Sequence, residues 1–330
     1  AAQHYFLQAI ALLHVNTWVE DYEKTYNLYL ALAECTYLDA KFDQSDEFFK
    51  VVLKNAKSNI DKAKVHNLRT SLYQITGQYD RAVTASIEAF SLFDISLPSK
   101  ADLKSEIENE MQQVAINMRG RKIIDLLDAP VTDDPEITTK LDVFSAAIPP
   151  FFASRAALFP LITLKAINLS LVHGNTVASC TAYSTYALLL ISYGDIANAF
   201  EFSSISLQLN ERFKDVARRG RLLFMHGCFI NFWKQSFAKT IPYLEQSFLA
   251  CSESGDMPFA SYSSYVLPTQ ILEKNERIET LLKTTNTYLA FANNNRNEVV
   301  QKTILCIHQV ALCMIGQTNG DGILDDGKFN

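Results

Sequence analysis

A short turn recurs at four places in this sequence, each time between two apolar runs with helical spacing. In each turn a polar or charged residue is followed by an apolar or aromatic anchor, at Lys41-Phe42, Gln78-Tyr79, Asp195-Ile196 and Ser236-Phe237. The residues seven and fourteen positions before the anchors are nearly all apolar, which is the spacing of one buried helix face. The recurring turn therefore predicts pairs of helices.

The residues that follow the anchors share a second pattern. The third residue after each anchor is small, at Ser45, Ala82, Ala199 and Thr240. The anchors lie 37, 117 and 41 residues apart, and the middle interval corresponds to three units of about 39 residues, close to the tetratricopeptide range. We predict an all-α fold, a tetratricopeptide-like solenoid of helical hairpins that forms one right-handed superhelix.

Local signals mark where several helices start. The segment Thr17–Glu20 has the form of a capping box and predicts a long helix that runs to about Leu38. Ser58 is predicted to cap a helix, and Asp134 a further helix with Pro135 at its first position. Signals for β-strands are nearly absent, so helices account for almost all of the predicted structure.

Prolines interrupt the helical pattern near the middle of the chain. The stretch 129–150 holds four of the nine prolines and the acidic pair Asp133-Asp134, and proline disfavours helix in the residue before it. The last residues lose helical periodicity. We predict amino-terminal repeats over 1–128, an irregular proline-rich joint over 129–150, carboxy-terminal repeats over 151–317, and a flexible tail or truncated linker over 318–330.

The bulk composition favours a cytoplasmic protein. The 330 residues are 48% hydrophobic with a formal charge of -6, and no apolar run is long enough to span a bilayer. The six cysteines show no CxxC pairing, which argues against a disulfide framework. Ala1–Leu13 lacks the basic stretch of a signal peptide, so we interpret it as a helix cut from a longer protein. We expect neither a membrane nor a nucleic-acid partner.

The sequence holds none of the common catalytic or nucleotide-binding motifs. No GxxxxGK[ST], GxSxG or HExxH pattern occurs, and the six histidines have no partners at ligand spacing. The segment Asn319–Gly322 superficially resembles a calcium loop, but Gln317 and Lys328 stand where ligands are required. We therefore predict no catalytic residue, no metal and no cofactor.

Two groups of residues are candidates for binding a partner. Positive charge is concentrated at the start of one predicted helix, at Arg212, Lys214, Arg218, Arg219 and Arg221. Such a run can bind an acidic protein or a phosphate, although solvated helix faces often carry one. Tyr186 and Trp233 belong to an aromatic-rich region whose exposed members could anchor an interface, although aromatic residues at helical spacing usually pack in a core.

Several segments also resemble a known family, and they occur in the order expected for it. They are Trp18–Tyr22, Leu28–Glu34, Val51–Lys57, Asp61–Val65, Gly120–Leu127, Leu161–Leu171, His173–Asn175 and Tyr193–Asp195. Together they resemble the tetratricopeptide-like helical region of large bacterial multidomain sensor kinases. In that family the helical region follows a serine/threonine kinase-like domain and an AAA-type signalling ATPase, and it precedes a GAF domain and often a histidine kinase.

The resemblance implies a non-catalytic region that binds neighbouring domains or a partner protein. It would relay a signal between the ATPase and the downstream sensor or output domains, and it implies no active-site residue because the family's catalytic motifs lie elsewhere. Two alternatives stay open. One is a small-molecule sensor with an apolar pocket near Pro149-Pro150, and the other is an all-helical enzyme.

Overall fold

The computed structural model describes residues 2–295, 297–320 and 322–327. Asp321 and Lys328, which enter the calcium-loop comparison, and the end of the predicted tail lie outside these ranges. Within them the regular elements are helices, and a single isolated bridge pairs Val131 with Asn175. The all-α prediction is confirmed. No helix formed by the described residues has both the length and the apolar character needed to cross a bilayer.

The chain divides into two compact units, which are residues 1–120 with 129–182, and residues 121–128 with 183–330. We call them unit 1 and unit 2. The helices of unit 1 are α1 (Ala2–Ala11), α2 (Thr17–Glu20), α3 (Tyr22–Leu38), α4 (Phe42–Asn55), α5 (Asn59–Ile75), α6 (Tyr79–Ser91), α7 (Leu103–Met118), α8 (Pro135–Ser154) and α9 (Phe159–His173). Helix α10 (Ser179–Ser192) includes residues of both units.

Unit 2 contains the remaining elements. They are a 3-10 helix (Ile123–Asp128), α11 (Ile196–Phe213), α12 (Val216–Met225), a π-helix (His226–Ile230), a second 3-10 helix (Asn231–Trp233), α13 (Phe237–Ser254), α14 (Met257–Glu273), α15 (Ile278–Asn294) and α16 (Glu298–Met314).

The recurring turn marks helix starts, as the sequence predicts. Helices α4, α6, α11 and α13 begin at the anchors Phe42, Tyr79, Ile196 and Phe237. In the first three turns, a residue with positive φ stands two positions before the anchor, at Ala40, Gly77 and Gly194. The backbone amide of the residue that follows it donates to the carbonyl five residues before that amide, at 2.8–3.1 Å. This bond satisfies a carbonyl that the end of the preceding helix leaves free. The same geometry precedes α12 and α14, after Lys214 and Gly255.

The small residue of the repeated pattern lies where paired helices approach closely. Ser45, Ala82, Ala199 and Thr240 are all fully buried, and the Ser45 hydroxyl donates to the Ala33 carbonyl of the preceding helix at 2.7 Å. Consecutive helices pack against each other in the pairs α3–α4, α5–α6, α12–α13, α13–α14 and α15–α16. Three of the four turns, those at Phe42, Tyr79 and Phe237, thus lie between helices that pack as a pair.

The predicted irregular joint over 129–150 is wrong for most of that stretch. Helix α8 continues through Pro149 and Pro150, although each proline lacks the N–H that would donate to a carbonyl four residues earlier. The helix buries Phe144, Ile148 and Phe151, and it packs against α5, α6 and α9. Burial of these apolar side chains outweighs the local helix-breaking tendency.

The predicted helix starts have mixed outcomes. The Ser58 hydroxyl accepts from the Asp61 amide at 3.0 Å, and the Asp134 carboxylate accepts from the Glu136 amide at 2.8 Å, which confirms both caps. The capping box at Thr17–Glu20 is wrong, because Thr17 is already helical and its hydroxyl pairs with that of Thr25 at 2.6 Å. The long predicted helix is also broken between α2 and α3.

Candidate functional site

The predicted basic residues lie at the end of α11, in the next turn and in α12, all within unit 2. The Arg212 guanidinium donates to the Leu127 carbonyl at 2.7 Å and to the Asp128 carboxylate at 2.9 Å, at the end of the first 3-10 helix. Lys214 is exposed and takes a left-handed conformation with a φ of 54°. Arg212 therefore ties two elements of the same unit together.

The three arginines of α12 also contact carboxylates. Arg218 pairs with Asp215 at 3.1 Å, and Arg219 pairs with Glu211 at 2.9 Å. Arg221 pairs with the carboxylate of Asp256, and its guanidinium lies 5.0 Å from the centre of the Phe259 ring. The structure thus brings the predicted basic residues together, but acidic partners balance the charge of each arginine.

The two predicted aromatic residues have different surroundings. Tyr186 is half-buried and meets Phe202 edge to face, with ring centres 5.0 Å apart. Burial, reinforced by the nearby Asp195 carboxylate, raises the pKa of Tyr186 to about 12. Trp233 is 51% exposed beside Phe232. Trp233 is therefore accessible to a partner, whereas Tyr186 mainly contributes to packing.

A buried serine–histidine pair lies next to the π-helix of unit 2. The Ser203 hydroxyl and His226 Nδ1 are 2.8 Å apart, and both residues are buried. Burial lowers the pKa of His226 to about 4, and a hydrogen bond with Asn231, which favours the protonated ring, opposes this effect only in part. A histidine that stays neutral and has no access to solvent fits a structural role. Thr285 and His308 form a similar contact at 2.8 Å.

A cleft of about 540 Å³ opens in unit 1 between α7, α9 and the segment that joins α6 to α7. Phe144 of α8 is one of the residues that line it. The full lining consists of Asp94, Ile95, Ser96, Pro98, Glu106, Glu110, Gln113, Asn117, Phe144, Lys165, Asn168, Leu169, Val172 and His173. The cleft differs from the predicted apolar pocket, since nine of its fourteen lining residues are polar and Pro149-Pro150 do not line it.

A hydrogen-bonded network joins α7 to α9 along the cleft. The Lys165 ammonium contacts the Glu110 carboxylate at 2.7 Å, and the Asn168 amide donates to the same carboxylate at 2.7 Å. The Asn117 amide donates to the Asn168 side-chain oxygen at 2.9 Å. Sequence reasoning missed this site because its polar residues come from two segments that are far apart in the chain.

The described residues contain no group of three histidine, cysteine or acidic side chains placed to hold a metal ion. No protein-family model matches the chain. The chain is similar to the hybrid signal transduction histidine kinase G of Dictyostelium discoideum, with 20% identity over 268 residues. The match covers 75% of this chain but only 8% of that protein. The similarity supports a signalling-protein context, and the relative is a histidine kinase outside the bacteria.

Proposed function

We propose that this chain is a non-catalytic regulatory and protein-interaction region of a multidomain signalling kinase. In this proposal a tetratricopeptide-like solenoid relays a signal between an ATPase module and downstream sensor or output domains such as GAF and histidine kinase domains. The observation that carries the proposal is the match to a hybrid histidine kinase over three quarters of this chain and a small fraction of that protein.

The helical hairpins are consistent with an interaction role. Stacked hairpins present extended surfaces while their cores supply stability, and the sequence repeats its anchor and small-residue pattern in both units. The buried Ser203–His226 pair supports a non-catalytic role, because a substrate cannot reach either side chain without opening the unit. Trp233 offers the kind of exposed aromatic side chain that often dominates binding energy.

The proposal is tested by binding of this chain to the separately produced remaining domains of the complete protein, measured by calorimetry. We expect saturable binding to at least one domain. Trp233→Ser should weaken it about thirtyfold, the typical effect of losing an aromatic interface anchor, whereas Tyr5→Ser removes an even more exposed aromatic residue from unit 1 and should have little effect. Binding to none of the domains, or nucleotide turnover by the isolated chain, would contradict the proposal.

The contribution of the basic residues can be tested in the same assay. Arg219 is partly exposed and pairs with Glu211, which is itself exposed, and such surface pairs contribute roughly 0–1 kcal/mol to stability. Arg219→Glu should therefore leave the fold intact and weaken binding of an acidic domain. Lys302→Glu, on α16, makes the same charge change at an exposed site. An equal effect of both variants would argue against a specific basic interface.

A further inference from the structure

Helix α7 directs a polar stripe into the cleft of unit 1. The stripe lies along one helix face and consists of Glu106, Glu110, Gln113 and Asn117. On the same helix only Val114 is buried, while Met111 and Ile116 are exposed. A helix that packs on a neighbour normally turns its apolar face inward, and proteins depart from that pattern mainly at functional sites. The arrangement therefore indicates a site for a polar ligand.

The inner part of the cleft is already satisfied by contacts within the chain. Both carboxylate oxygens of Glu110 have partners, one in the Lys165 ammonium and one in the Asn168 amide. The charge of Lys165 is consequently balanced, and the three side chains hold one another in place. This network forms a fixed polar wall without excess charge.

The excess charge of the cleft is negative. Among the described residues, the carboxylates of Asp94 and Glu106 have neither an ion pair nor a hydrogen-bond donor, although both line the cleft. Two lysines contact other carboxylates: Lys104 lies 3.9 Å from Glu108, and Lys140 binds Glu136. An anion would meet two uncompensated carboxylates here, whereas a cation would be attracted to them.

Apolar side chains complete the cleft. Ile95, Phe144 and Leu169 line it together with the polar stripe, and its volume lies in the range of about 300–1,000 Å³ that is typical of small-molecule sites. We propose that the cleft binds a small organic cation, in which a protonated amine contacts Glu106 and Asp94 and an apolar body packs on these side chains. The proposal for this site does not rest on the protein-interaction role proposed above.

The test uses the full chain and two probes that share an apolar body. Tyramine carries a protonated amine on a phenol ring, and 4-hydroxyphenylacetate carries a carboxylate at the corresponding position. Titration calorimetry should show saturable binding of tyramine with one site per chain and no binding of the carboxylate probe. Spermidine serves as a second cation with a longer body. Failure of both cations to bind, or equal binding of the carboxylate, would overturn the proposal.

Two matched variants of α7 locate the site. Glu106→Gln removes the proposed contact and should weaken tyramine binding about tenfold or more, the usual effect of losing a charge-assisted hydrogen bond. Glu108→Gln makes the same change on the same helix at an exposed side chain outside the cleft and should leave the affinity unchanged. Circular dichroism establishes that both variants fold. Equal weakening by both would show nonspecific charge attraction and refute the site.

Discussion

Gly220 of helix α12 lies where that helix meets helix α13, and it provides a sharp test of how closely the helices approach. A Cβ atom at this position would meet the Cys251 sulfur and would lie 2.8 Å from the Cys251 backbone nitrogen. The Ser247 hydroxyl donates to the Gly220 carbonyl at 2.8 Å and also contacts the Ser263 hydroxyl at 2.9 Å. Glycine is therefore required by the packing of unit 2.

The expected effect of Gly220→Ala follows from two opposing contributions. In an unhindered helix the change would stabilise the protein by about 1 kcal/mol, because alanine has the higher helix propensity. Overpacking costs about 1–3 kcal/mol, and the upper part of that range applies because a backbone nitrogen cannot move away by changing a rotamer. We therefore expect Gly220→Ala to lower the free energy of unfolding by about 2 kcal/mol.

Urea unfolding monitored by tryptophan fluorescence measures this effect in unit 2. The chain has two tryptophans, so in a Trp18→Phe background the signal comes from Trp233. A Cys251→Ala variant serves as a second background, in which the sulfur is absent but the backbone nitrogen of residue 251 remains. Gly220→Ala should still lower the free energy of unfolding in this background. A Gly220→Ala variant as stable as its parent, or more stable, would refute the inferred close approach.

The other predictions concern unit 1 and the buried histidine. Gly174→Ala should destabilise unit 1 more than Gly77→Ala in urea unfolding, because both glycines have positive φ but only the Gly174 Cβ would meet the Pro130 carbonyl; equal losses would contradict this contact. Since burial lowers the pKa of His226 from 6.5 to about 4, the unfolded chain takes up a proton first as the pH falls. Unit 2 should lose up to about 3 kcal/mol between pH 6.5 and 4. The loss should be smaller in His226→Gln, and a parallel pH profile would show that another group is responsible.

The helix starts at the repeated turns could be predicted from sequence because the turn is a local structure. A left-handed residue such as Gly77 or Gly194, a polar residue and an anchor determine where one helix ends and the next begins. The turns after Lys214 and Gly255 have the same backbone geometry. The repeated sequence pattern does not mark Val216 and Met257, which begin the helices that follow these turns.

The elements that were predicted wrongly depend on contacts with residues of other helices. Pro149 and Pro150 read locally as an interruption, yet three other helices pack against α8 and stabilise it across both prolines. Thr17 reads as a cap, but in the fold its hydroxyl pairs with Thr25. Local propensity could not predict either outcome, since each was decided by the partner that the side chain finds in three dimensions.

The predicted and the observed candidate sites also differ in whether their residues are close together in the sequence. The basic residues were recognised because most of them are close together in sequence, but their acidic partners include Asp128 and Asp256, which come from other elements. In the cleft, Glu110 and Lys165 belong to helices separated by the whole of α8. Only a polar stripe on α7 was available as a sequence signal, and it resembled an ordinary solvated helix face.

The cleft and the proposed relay role can be connected through the stability of α7. This helix fully buries only Val114, and Glu110 links it to α9 through Lys165 and Asn168. A ligand that contacts both helices would favour the attached arrangement, by about 2.7 kcal/mol at a concentration one hundred times its dissociation constant. This preference can affect another domain only if that domain binds differently when α7 is packed on α9 and when it is not. Binding in the cleft and binding of a partner are therefore separate requirements for a relay, and a protein that met only one of them would be a receptor or a scaffold.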